Sequence, residues 1–156
     1  MHPSQLSTLV NFNRRTDRTP FENWLVANTL YTDGYVYEMQ GTRFLSRLNF
    51  AAAVASYKNV DQHTLNGTLL PDMFVSHLTE YTTWNRSDSA VNYNKLTFAQ
   101  RMYELEQKLE KDPKDDRAAY QYANGLYSMS FYGKGSLASQ YYRGSTDRAA
   151  YYISRD

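Results

Sequence analysis

The segment YEMQGTRFLSRLNFAAAVASYKNV, residues 37–60, carries two helical stripes in succession. Residues three and four apart share one face of a helix. Tyr37, Gly41, Phe44 and Leu48 therefore form one stripe, and Phe50, Ala53, Val54, Tyr57 and Val60 form a second. Between them, Arg47-Leu48-Asn49 leaves just enough chain to turn back. The spacing predicts an antiparallel helix pair and an all-α fold. A glycine inside a helix costs about 0.5–1 kcal/mol against alanine. Gly41 is therefore expected to serve close approach of the second helix, with Phe44, Phe50, Ala53 and Tyr57 buried at one contact.

Upstream, Thr19-Pro20-Phe21-Glu22 reads as a helix start, with threonine as cap, proline in the first turn and glutamate three after the cap. That helix puts Phe21, Trp24, Leu25 and Asn28 on one side, so Trp24 has local apolar neighbours to bury it. Thr32 or Asp33 can cap the next helix. Leu6, Leu9 and Val10 predict a short helix before a polar loop. Downstream, the long stretch of about residues 61–92 is weakly patterned and reads as a loop, and such loops are often functional. Its Asn66-Gly67 step is compatible with a tiny hairpin, and a brief helix fits residues 71–78. Phe98, Met102, Leu105 and Leu109 restore helical periodicity, with Glu104 and Lys108 paired on the outside. That helix ends before Pro113. Asp115 or Asp116 then caps a helix displaying Ala119, Tyr122, Ala123, Leu126 and Ser130, broken by Gly133-Lys134-Gly135. Short helical pieces are expected over 137–143 and 148–154. The apolar end at Tyr151, Tyr152 and Ile153 implies a partner helix elsewhere or a longer natural chain.

The 156 residues suit a single helical domain, 1–156, large enough to bury a hydrophobic core. Fifteen tyrosines supply most of the aromatic content, and their rings suit helix packing while their hydroxyls seek polar partners. The net charge of +1 is evenly mixed, and Arg14, Arg15 and Arg18 make only a small basic cluster, so no nucleic-acid partner is expected. No apolar run approaches the roughly 18 residues of a membrane span. The absence of cysteine excludes disulfides and thiolate metal sites.

Two stretches resemble the tetratricopeptide repeat, a helix-turn-helix unit that stacks into solenoids. Gly41, Phe44, Phe50, Ala53 and Tyr57 match its small and aromatic positions, with Tyr37 in place of the usual tryptophan and Gln40 in place of leucine. Leu109 to Pro113 resembles the terminal proline turn, followed by Ala119, Tyr122, Ala123 and Leu126 as an opening helix. The resemblance implies antiparallel pairs in a short irregular solenoid. The segments 93–105 and 120–127, with Phe131-Tyr132-Gly133, also resemble uncharacterised exported repeat proteins of Bacteroidetes, often lipoproteins. That likeness implies a periplasmic or cell-surface location and brings no activity with it.

Chemistry has little to claim here. His2, His63 and His77 lack metal-ligand spacing, no nucleophile elbow or phosphate loop is present, and no cofactor is expected. The leading expectation is a non-enzymatic scaffold binding a protein or peptide through the first helix of each pair. Tyr35, Glu38, Thr42 and Ser46 would form that surface, facing away from the Tyr37–Phe44 stripe. The alternative is an envelope glycan-binding protein using exposed aromatics, with Tyr81 and Trp84 in the long loop as candidates.

Overall fold

The computed structural model describes residues 3–29, 31–75 and 92–141. Among them are seven helices: α1 (Pro3–Arg14), α2 (Pro20–Asn28), α3 (Asp33–Leu45), α4 (Phe50–Tyr57), α5 (Gln62–Asn66), α6 (Lys95–Lys111) and α7 (Asp116–Met129). A 3-10 turn follows at Ser136–Ala138, and the described residues form no strand beyond one isolated bridge, Leu70 to Tyr93. The fold is all-α, and no described helix is long and apolar enough to cross a membrane.

From α2 onward, every described α-helix opens on a side-chain cap that satisfies an otherwise orphaned backbone N–H. Thr19 and Glu22 form a reciprocal capping box at α2. Thr32 caps α3, Asn49 caps α4, Asp61 caps α5, Asn94 caps α6 and Asp115 caps α7. The chain then packs largely in order, α1 on α3, α3 on α4, α4 on α6 and α6 on α7. The short turn between Leu45 and Phe50, with Gln40 bonded to Ser56 near the far end of α4, makes α3 and α4 antiparallel. Arg101 with Gln121 and Lys108 with Asp115 do the same for α6 and α7. Phe50, Ala53, Tyr57, Phe98, Met102 and Leu105 form the centre of the core. Phe44 is only partly buried at its edge.

Gly41 sits where expected. A Cβ there would lie 2.5 Å from Tyr57 Cε1 and 2.7 Å from its Cζ, so the Tyr57 ring occupies the space a side chain would need. Gly125 plays the same part in α7, where a Cβ would run into Met102 Sδ of α6. Gln40, at the position where the repeat has leucine, is buried: its amide donates to Ser7 Oγ (2.7 Å) and Pro3 O (3.2 Å), and its carbonyl accepts from Ser56. An amide at that position joins three helices where a leucine would join two apolar faces.

Several expectations are corrected. Leu48 is no part of the α3 stripe but lies in the turn, half exposed. Its φ is +59°, with Leu48 N–H donating to Leu45 O and Asn49 N–H to Phe44 O, the bond pattern of a Schellman turn. The stretch from residue 61 is neither hairpin nor bare loop up to residue 75. Asp61 caps α5, residues 71–75 form turns without a helix, and Leu65, Leu70, Met73 and Phe74 enter the core without any regular period. On α7 Tyr122 and Leu126 pack against the core as expected, but Ala119 and Ala123 are exposed and the fully buried positions are Ala118, Gly125, Ser128 and Met129. Glu104 pairs with Arg101, and Lys108 reaches forward to the capping carboxylate of Asp115 (2.5 Å). Residues 139–141 are not helical. The pieces expected beyond residue 141 and the remainder of the long loop, 76–91, lie outside the described residues.

Candidate functional site

The expected binding surface on α3 divides in two. Tyr35 and Ser46 are exposed at opposite ends of the helix, whereas Glu38 and Thr42 are buried. Sequence spacing gave α3 a single partner, so the side away from α4 read as free. In the fold, the start of α6 and Tyr141 cover it. Tyr81 and Trp84 lie outside the described residues.

Glu38 and Thr42 anchor a closed polar network. Lys95 Nζ donates to Glu38 Oε1 (2.6 Å) and to Thr42 Oγ1 (3.0 Å), and stands 4.7 Å from the centre of the Tyr141 ring. Thr42 donates to Glu38 Oε1 (3.2 Å), and Tyr141 donates to Glu38 Oε2 (2.6 Å). With the Thr42 proton directed at Glu38, the 3.1 Å contact with Tyr57 has the Tyr57 hydroxyl as donor. Burial lowers the Lys95 pKa, and the neighbouring Glu38 carboxylate partly offsets this. Burial also holds the Tyr57 and Tyr141 hydroxyls well above the ordinary tyrosine range. The three Lys95 protons meet two oxygens and one ring face. Lys95 thereby ties α6 to α3. Among the described residues no three His, Cys, Asp or Glu side chains are grouped to hold a metal ion.

The exposed chemistry lies elsewhere. Helix α2 buries none of its residues. Phe21, Trp24 and Leu25 are 69%, 59% and 43% exposed, with the Phe21 and Trp24 rings stacked at 6.1 Å. The shared face was legible in the sequence, but the burial expected of Trp24 is not found, because no described helix packs on that side. Tyr31 and Tyr35, both exposed, form a second ring pair tilted at 5.6 Å at the start of α3. Polar bonds hold α2 in place. Arg18 donates to Phe12 O, Asn13 O and Asn23 Oδ1, and Arg15 reaches Glu22 (3.9 Å).

At the other end of α3 is an open groove of about 300 Å³, lined by Ser46, Leu48, Leu126, Met129, Ser130 and Ser139. Its serines turn inward on their own backbone: Ser46 Oγ donates to Arg43 O, Ser130 Oγ to Tyr127 O and Ser139 Oγ to Met129 O. Its character is thus set by Leu48, Leu126 and Met129. Of these, sequence reading placed only Ser46 on a binding surface. The other lining residues come from a turn, the end of α7 and the segment after it, and no local spacing links them.

No family model, curated protein or solved structure matches the chain. Fold and surface define it as an all-α protein with a capped, unburied aromatic helix at one end of α3 and an apolar groove at the other.

Proposed function

We propose that this chain is a non-enzymatic helical scaffold that binds another protein chain, with α2 as its contact helix. The observation that carries this is the exposure of Phe21, Trp24 and Leu25 together on a helix that buries nothing. Isolated helices shorter than about 12–15 residues are marginal in water. α2 has nine residues and is held by caps and arginine bonds instead of packing. Positions i, i+3 and i+4 of an amphipathic helix are the usual anchors of helix-in-groove recognition. The closed Glu38–Lys95 network supports a structural, non-catalytic role for the buried polar groups. The succession α3–α4–α6–α7, each packed on the next, supports the tetratricopeptide-like solenoid that the sequence resemblance implies. The envelope setting belongs to the proposal through that resemblance alone.

A photo-crosslinking residue at Leu25, introduced in cells of the natural source, tests the function. Discrete protein adducts are expected, and they should vanish when Trp24→Ala is added. Labelling no stronger than from a probe at the solvated Lys111 would overturn the proposal.

A further inference from the structure

We infer that Tyr31 and Tyr35 form an oxidative cross-linking site, where a one-electron oxidant of the peroxidase class joins the two rings into a dityrosine staple across the start of α3. The inference goes beyond the scaffold function and does not rest on it. The ring centroids lie 5.6 Å apart with the planes 30° from parallel. The two residues are 54% and 40% exposed, and no described residue hydrogen-bonds either hydroxyl. Both phenols are therefore open to an oxidant and to water as proton acceptor.

Backbone bonds hold the pair at this separation. Tyr31 N–H donates to Thr29 Oγ1 (2.9 Å), and Tyr31 O accepts from the Asn13 amide of α1 (3.4 Å). Tyr35 N–H donates to Thr32 Oγ1, the cap of α3 (3.2 Å). Two reacting groups already placed side by side need little further ordering to meet. The remaining approach is a rotation of exposed side chains, which takes about a nanosecond or less.

The chemistry balances within the pair. Each phenol gives one electron to the oxidant and its hydroxyl proton to water, leaving a radical delocalised onto the ring carbons beside the C–O carbon. One C–C bond forms between two such carbons, and their two hydrogens move to the phenolic oxygens, which restores both aromatic rings. Hydrogen peroxide, taking up the two electrons and two protons, becomes two waters. Other tyrosines are less well placed. Tyr57 is fully buried, and the Tyr141 hydroxyl is committed to Glu38. Tyr37 packs against the core with the Arg14 guanidinium over its ring. Tyr132 is exposed, but its ring partner is Phe131, which has no hydroxyl to lose. In a chain with fifteen tyrosines and no cysteine, the Tyr31–Tyr35 bond is a covalent tie open to the side chains where a disulfide is not.

Treatment of the folded chain with a peroxidase and limiting hydrogen peroxide tests this, with free tyrosine in a parallel sample to show that the oxidant is active. Dityrosine fluorescence should appear in the monomer band of a denaturing gel. Trypsin releases residues 19–43 as one peptide, and that peptide should be lighter by two hydrogens. The loss should vanish in Tyr31→Phe and equally in Tyr35→Phe, since each variant keeps the ring and removes the hydroxyl alone. Coupling of free tyrosine while residues 19–43 keep their hydrogens, or gain oxygen alone, would overturn the inference. A two-hydrogen loss that survives either substitution would also overturn it, because the bond would then join other residues.

Discussion

At Gly41 the Tyr57 ring fills the volume of a missing side chain, and the α3–α4 seam closes over one atom's absence. Alanine would gain up to about 1 kcal/mol of helix propensity. It would also force a wholly buried ring aside, at about 1–3 kcal/mol for overpacking. Gly41→Ala should therefore lower the denaturation midpoint despite being the better helix former. A rise in stability would show that Tyr57 yields without strain. The Glu38–Lys95 pair sets a second residue-scale test, because both side chains are nearly removed from solvent. Removing one partner of a buried pair leaves a charge without compensation, at about 3–5 kcal/mol, whereas replacing both with apolar residues is often neutral. Lys95→Met should be strongly destabilising, and Glu38→Leu combined with Lys95→Met should recover much of the loss in urea titrations. A double variant no better than the single would assign the tie a net favourable energy of its own.

At the scale of elements, the α3–α4 turn is built on a leucine in a conformation that costs an L-residue about 1–2 kcal/mol. Leu48→Gly removes that strain, while the freer glycine raises the entropy of the unfolded chain. The variant should be as stable as the parent or up to about 1 kcal/mol more stable by thermal denaturation. A clear loss would mean that Leu48 contributes packing its exposure does not reveal. Helix starts, by contrast, were legible residue by residue: Thr19 with Glu22, Thr32 and Asp115 act as the sequence indicates, because a cap is a local bond between neighbours in the chain. The α3–α4 pair and the core stripe of α6 were legible for a similar reason, since helical period reports which face is apolar. That period cannot say what covers a face. Glu38 and Thr42 looked solvated because the residues covering them lie at positions 95 and 141. Trp24 looked buried because nothing local reveals that no described helix packs on that side of α2. The groove was invisible because it joins three separate segments through space.

For the molecule as a whole, buried tyrosines make alkali the sensitive direction. Tyr57 and Tyr141 are held above the ordinary 10.0, so the folded chain retains protons that the unfolded chain releases above that pH. Stability from these groups is fully present below pH 10 and falls as pH rises beyond it. Lys95 acts oppositely. Its depressed pKa means that its charge is better tolerated unfolded, and the associated cost fades as pH climbs toward 10.5. Above that value the tyrosines act alone, and the urea midpoint should drop steeply. Tyr57→Phe should flatten the drop, and an unchanged slope would show that the Tyr57 hydroxyl ionises freely in the fold.

The polar tie also governs time. It joins residues 57 and 103 positions apart in the chain, while the α3–α4 and α6–α7 hairpins close through short turns. Contacts across long spans carry the larger loop-closure entropy and consolidate after the local ones. An interaction absent from the transition state acts on escape from the native state and leaves arrival untouched. In stopped-flow experiments, Tyr141→Phe should therefore raise the unfolding arm of the chevron and leave the refolding arm in place. A slowed refolding arm would put the tie in the nucleus. With the arms as expected, the hydroxyl of Tyr141 acts as a latch: how long a molecule stays folded is decided 103 residues along the chain from the carboxylate it holds.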